Sequence, residues 1–81
     1  MTKVRPKVKG YLENVILNAL ESLKSPIGST EYEIIDFIKE KMKQKGQEPK
    51  PIVIAIIRNE LRKAVKKNWL YKIDGLYNFP S

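Results

Sequence analysis

Apolar positions along this chain fall into three stretches with helical spacing and one with alternating spacing. From Tyr11 to Leu23, the residues Leu12, Val15, Ile16, Ala19, Leu20 and Leu23 follow the i, i+3, i+4, i+7 series that gives a helix one apolar face. The residue before Pro26 is pushed out of helical geometry, so this helix should stop near Ser25. Ile27 and Gly28 then form a brief extended link, long enough for a very short strand. Thr30 followed by Glu33 is a capping-box pattern, and a second helix should open there with Ile34, Ile35, Phe37, Ile38 and Met42 as its apolar stripe. Gly46 is its expected stop, and QEPK makes a polar turn before Pro51, which suits the first position of a third helix. In the stretch Pro51 to Asn68, Ile54, Ile57, Leu61, Ala64 and Val65 lie on one face.

After Asn68 the period changes from helix to strand. WLYKI and LYNF are β-prone runs separated by Asp74-Gly75, a strong signal for a two-residue hairpin turn. With that turn, Ile73 should face Leu76, Lys72 should face Tyr77, Tyr71 should face Asn78 and Leu70 should face Phe79. Alternation then puts Leu70 and Phe79 on one side of the hairpin and Trp69, Tyr71, Ile73 and Leu76 on the other. One side must cover the helices, and the other is left for a partner.

Charge changes the picture of the third helix. The chain has 81 residues and a net charge of +7, unevenly spread. Residues 1–10 carry Lys3, Arg5, Lys7 and Lys9 and no acid, and with Pro6 and Gly10 they read as a flexible basic arm ahead of a domain over residues 11–80. Residues 11–38 are acidic, with Lys24 against Glu13, Glu21, Glu31, Glu33 and Asp36, whereas eleven cations face four acids over residues 39–81. Such a polarised chain presents one face to an anionic partner. Lysines 39, 41, 43 and 45 load the C-terminal end of the second helix, where its dipole favours cations. Arg58, Arg62 and Lys66, with Asn59, Lys63 and Lys67 beside them, fall opposite the apolar stripe of the third helix. Like charges at that spacing repel, so helix stability does not explain them and a polyanion does.

Inventory excludes much else. A chain this short buries roughly 60% of the surface its unfolded form exposes and has little room for an enclosed active site. It contains no Cys and no His, so thiolate metal sites, disulfides and nucleophilic triads with their usual base are absent. No catalytic residues, cofactor or metal are therefore expected. No apolar run approaches the roughly 20 residues of a membrane span, and no secretory signal pattern opens the chain, so an intracellular monomer without a membrane partner is expected.

Three helices followed by a two-stranded β-hairpin wing, with a very short strand between the first two helices, is the order of an α+β winged helix-turn-helix. The segments YLENVILNALESL (Tyr11–Leu23), Gly28-Ser29-Thr30 opening a helix with Phe37-Ile38-Lys39, and Ile57–Leu61 leading to Trp69-Leu70 resemble the globular domain of linker histones. They are also similar to related winged helices of chromatin proteins. The resemblance covers roughly Tyr11 to Phe79. It implies a nuclear, DNA- or nucleosome-binding module of a chromatin or transcription-associated protein, with the third helix in the major groove or against linker DNA and the wing touching backbone. Arg58 and Arg62 match basic contact positions of the family's third helix, with Lys63 beside them. Two features depart from the family: Asp74-Gly75 stands where linker histones carry a longer, basic, Gly-rich wing tip, and Glu31 opens the second helix in place of a base.

The expected contacts to double-stranded DNA are Lys50, Arg58, Asn59, Arg62, Lys63, Lys66, Lys67 and Lys72. Most would meet phosphate, with Arg58, Asn59 and Arg62 as the candidate base readers. A second reading makes the chain a protein-interaction module that docks a chromatin protein on Trp69, Tyr71, Ile73 and Leu76. The acidic first half and the short acidic wing motivate it.

Overall fold

The computed structural model describes residues 5–80; the first cation of the basic arm, Lys3, lies outside them. The element order is α1 (Tyr11–Leu23), β1 (Ser29–Thr30), α2 (Glu31–Gln44), α3 (Pro51–Lys66), β2 (Tyr71–Ile73) and β3 (Leu76–Asn78). This is the winged helix-turn-helix expected from the sequence. Each boundary has a local cause. At α1 the end comes two residues earlier than Pro26 alone would require, because Lys24 turns left-handed at φ 51° and donates its N–H to Leu20 O at 3.2 Å. At α2 the capping box is complete: Glu33 N–H donates to Thr30 Oγ1 at 3.2 Å, and Thr30 N–H donates to Glu33 Oε1 at 2.9 Å. At α3 the helix stops at Lys66, and Trp69 N–H closes back on Ala64 O at 3.1 Å past a left-handed Asn68.

β3 is the centre of a three-stranded antiparallel sheet in the order β1-β3-β2. The hairpin register is the expected one, with Ile73 opposite Leu76, Lys72 opposite Tyr77 and Tyr71 opposite Asn78. Asp74 and Gly75 both have positive φ, 52° and 78°, as the two-residue turn requires. On the other edge of β3, Ser29 faces Tyr77 and Thr30 faces Leu76, which ties the wing to the link between α1 and α2.

The core collects Ile16, Leu17, Ala19 and Leu20 of α1, Ile34, Ile35 and Ile38 of α2, Ile57, Leu61 and Ala64 of α3, and Leu70, Tyr77 and Phe79 of the wing. Leu17 lies outside the expected apolar series of the first helix and is nevertheless fully buried, because α1 packs against both α2 and α3 and so needs a wider apolar face than a single stripe. Ahead of α1, Arg5 pairs with Glu21 at 3.1 Å, Asn14 Nδ2 donates to Val8 O at 3.3 Å, and Val8 packs on the edge of the core. Lys7 and Lys9 are exposed.

Candidate nucleic-acid interface

α3 is positioned by one face only. Ile57, Leu61 and Ala64 are sealed, with Val53, Ile54 and Val65 half-buried beside them, so the opposite face looks outward along the whole helix. Read from its N-terminus, that outward face carries Ile52, Ala55, Ile56, Asn59, Arg62, Lys63 and Lys66, all exposed. Lys50 precedes it as the N-cap and Lys67 follows it as the C-cap. No acid lies in the first turn.

The cations divide by their partners. Arg58 sits on the flank toward α2, where its Nε is 3.4 Å from Glu31 Oε2. Lys63 lies 3.6 Å from Glu60 one turn earlier, a half-exposed pair of small energetic weight. Among the described residues, Lys50, Arg62, Lys66 and Lys67 form no ion pair. Lys72 belongs to the wing rather than to α3, with its ammonium 5.2 Å from the centre of the Tyr77 ring. Asn59 is central on the outward face and exposed.

The second group of expected residues divides as well. Tyr71 and Ile73 are exposed on β2, and with Pro26, Ile27, Leu76 and Asp74 they line an open groove of about 340 Å³ on the outer side of the wing. Trp69 precedes β2, is half-buried and packs on the core. The exposed Ile27 beside this groove was not among the expected site residues, and only the pairing of β1 with β3 brings its neighbourhood to the wing.

Residues 9–78 match the family model of linker histones. The chain belongs to the linker histone H1 and H5 family. Linker histones are non-enzymatic, DNA- and nucleosome-binding proteins of chromatin, and their globular domain is a winged helix like the one described above. No curated protein and no solved structure matches the chain. Within this linker-histone domain, sequence reasoning missed two features of α3. Ile52 and Ile56 are 64% and 42% exposed on the same face as Asn59. Their spacing to Asn59 carried the signal, but their apolar character pointed to the core. The pairing of Arg58 with Glu31 had no signal in the sequence, since it depends on how α2 crosses α3.

Proposed function

We propose that this chain is a monomeric, nuclear, double-stranded DNA- or nucleosome-binding module that uses the outward face of α3. It is a binding module without catalysis, and its host is a chromatin or transcription-associated protein. The observation that carries the reading is the charge on that face: Arg62, Lys63 and Lys66 follow one another without an intervening acid, with Lys50 and Lys67 at the two ends of the helix. Most of these cations serve phosphate and set position, while Asn59 and Arg62 are the base-edge candidates on the outward face and Arg58 is held on its flank by Glu31. Lys72 on the wing and the exposed Lys7 and Lys9 of the arm over residues 1–10 extend the positive field.

If about five phosphates are neutralised, log K for a random duplex falls with log salt at a slope of roughly −4 to −5. A salt titration of duplex binding checks this, and a flat response removes the proposal. Glu31 offsets one of the cations that the family uses. Replacing it in Glu31→Gln releases Arg58 and is expected to tighten duplex binding by about two- to fourfold at low salt, with the gain fading as salt screens it. Equal affinity for Glu31→Gln and the parent protein would show that Arg58 lies outside the interface.

The groove over Ile27, Tyr71 and Ile73 favours the second reading, a protein docked on the outer face of the wing, since these side chains are 73%, 48% and 68% exposed. Trp69 and Leu76 would support that surface from its edges. The two readings use different residues, those of α3 for the first and those of β2 and the β1 link for the second. Tyr71→Ser with Ile73→Ser therefore leaves duplex affinity unchanged under the first reading.

A further inference from the structure

α1 and α2 do not close on one another along their whole length. Tyr11, Val15, Asn18 and Ser22 form one stripe of α1, about 16 Å long, and with the C-terminal half of α2 they line an open groove of about 340 Å³. The gap follows from the sequence, because Asn18 and Ser22 are short and polar where a larger apolar side chain would fill it. The groove's apolar lining is only partly covered: Val15, Phe37 and Met42 are half-buried, and Ile38 beside them belongs to the sealed core. Lys41 and Lys45 line the same groove and are exposed, and among the described residues neither forms an ion pair. The Lys41 ammonium stands 5.5 Å from the centre of the Phe37 ring, which keeps its charge beside the apolar surface. None of the lining residues is a carboxylate. The dipole of α2 favours cations around its last turn, but it gives no reason for an unfilled apolar surface between them.

We propose that the groove between α1 and α2 docks an acidic peptide segment of a partner protein, with a bulky apolar side chain against Val15, Phe37 and Met42 and carboxylates on Lys41 and Lys45. Charge complementarity selects the occupant: a neutral apolar segment would leave two cations without partners at the edge of the contact, and a basic one would be repelled. The exposed ring of Tyr11 adds an amphipathic edge at the end of the stripe. A length of 16 Å holds about five residues of extended peptide or about eleven of helix. Duplex DNA is the poorer occupant, since two cations offer its backbone few contacts and its phosphates leave the apolar surface uncovered. The inference does not rest on the DNA-binding reading. No lining residue lies on α3 or on the wing, and none is shared with the groove over Ile27, Tyr71 and Ile73.

Synthetic peptides test the inference on the full chain. Three 12-residue peptides of aspartate and glutamate each carry one phenylalanine and one leucine, placed two, three or four positions apart to cover extended and helical forms. Each has two controls, one with serine in place of the apolar pair and one with asparagine and glutamine in place of the acids. Binding is followed by amide chemical shifts of the isotope-labelled protein. At least one acidic peptide with its apolar pair is expected to bind about tenfold or more tightly than either of its controls, because both apolar burial and charge contribute. Its shifts are expected to centre on Val15, Asn18, Phe37, Lys41 and Met42. The double variant Lys41→Gln, Lys45→Gln is expected to lose about fivefold or more in affinity for that peptide. Asn18→Trp, which fills the groove from an exposed position on α1, is expected to lose as much while its melting temperature stays close to that of the parent. No binding by any of the three peptides at millimolar concentration overturns the inference. So does equal binding of the serine controls, which would show attraction by charge alone, and so do shifts that centre on α3 or the wing. A single-stranded oligonucleotide that shifts the groove amides at lower concentration than the peptides assigns the groove to nucleic acid and overturns it as well.

Discussion

Replacing Gly28 with alanine is expected to lower the melting temperature by roughly 10–25 °C, corresponding to about 2–4 kcal/mol in a domain of this size. Gly28 has φ +106°, a backbone conformation that side-chain-bearing residues rarely adopt. A Cβ there would also stand 2.8 Å from the carbonyl oxygen of Tyr77 and 3.2 Å from Leu76 Cβ. Neither neighbour can give way easily. Tyr77 is 2% exposed, and its strand is held on both edges, by Ser29 and Thr30 on one side and by β2 on the other. Gly46→Ala is the matched comparison, because Gly46 also has positive φ, +74°, but nothing lies within 4 Å of its Cβ position. It should cost only about 1 kcal/mol, the strain of a left-handed alanine. Thermal denaturation followed by circular dichroism reads both. Similar losses at the two positions would mean that the close approach of β1 to β3 does not matter, and the wing would then be only loosely tied to the helices.

That tie bears on how much of the domain was legible in the sequence. The hairpin was legible because Asp74-Gly75 is a local signal, and a two-residue turn sets the register of everything beside it. The second helix was legible for the same reason, since Thr30 and Glu33 satisfy one another across a single turn. What escaped was decided between elements. Leu17 is buried because two helices cover α1, and an i, i+3, i+4 series describes burial on one side only. Ile52 and Ile56 escaped for the opposite reason: hydrophobicity argues for burial, and only the direction in which α3 docks leaves them outside. Arg58 has the residue type and spacing of a base reader, yet its charge is offset by a carboxylate 27 positions earlier in the chain.

The short wing shifts weight onto α3. With only Asp74 and Gly75 at its tip, the hairpin does not reach far beyond the sheet, and its one charged tip residue repels phosphate. Lys72 points its ammonium back over the Tyr77 ring rather than outward past the turn. Under the proposed DNA-binding reading, the gain from phosphate comes mainly from the helix, and the cations that matter most should be those without a carboxylate beside them.

The double variant Arg62→Ala, Lys66→Ala is accordingly expected to lose roughly 10- to 60-fold in duplex affinity near 0.1 M salt, with a salt slope shallower by roughly 2. Each lost phosphate contact removes the release of about one counterion, and among the described residues neither side chain has an ion pair to compensate for its loss. Arg58→Ala alone should cost less than Arg62→Ala alone, because Arg58 is already held by Glu31 in the free protein and has less of its charge to offer phosphate. Lys41→Ala with Lys43→Ala is the charge-matched control on α2. Lys41 lies 5.5 Å from the Phe37 ring centre and Lys43 is 3.7 Å from Glu40, so both are engaged on their own helix. This control should change affinity by about twofold or less, through the long-range field alone. All four positions are solvent-exposed, so melting temperatures should differ little and the comparison reads binding directly. Equal losses in the two double variants would mean that a diffuse positive field, rather than the outward face of α3, holds the duplex.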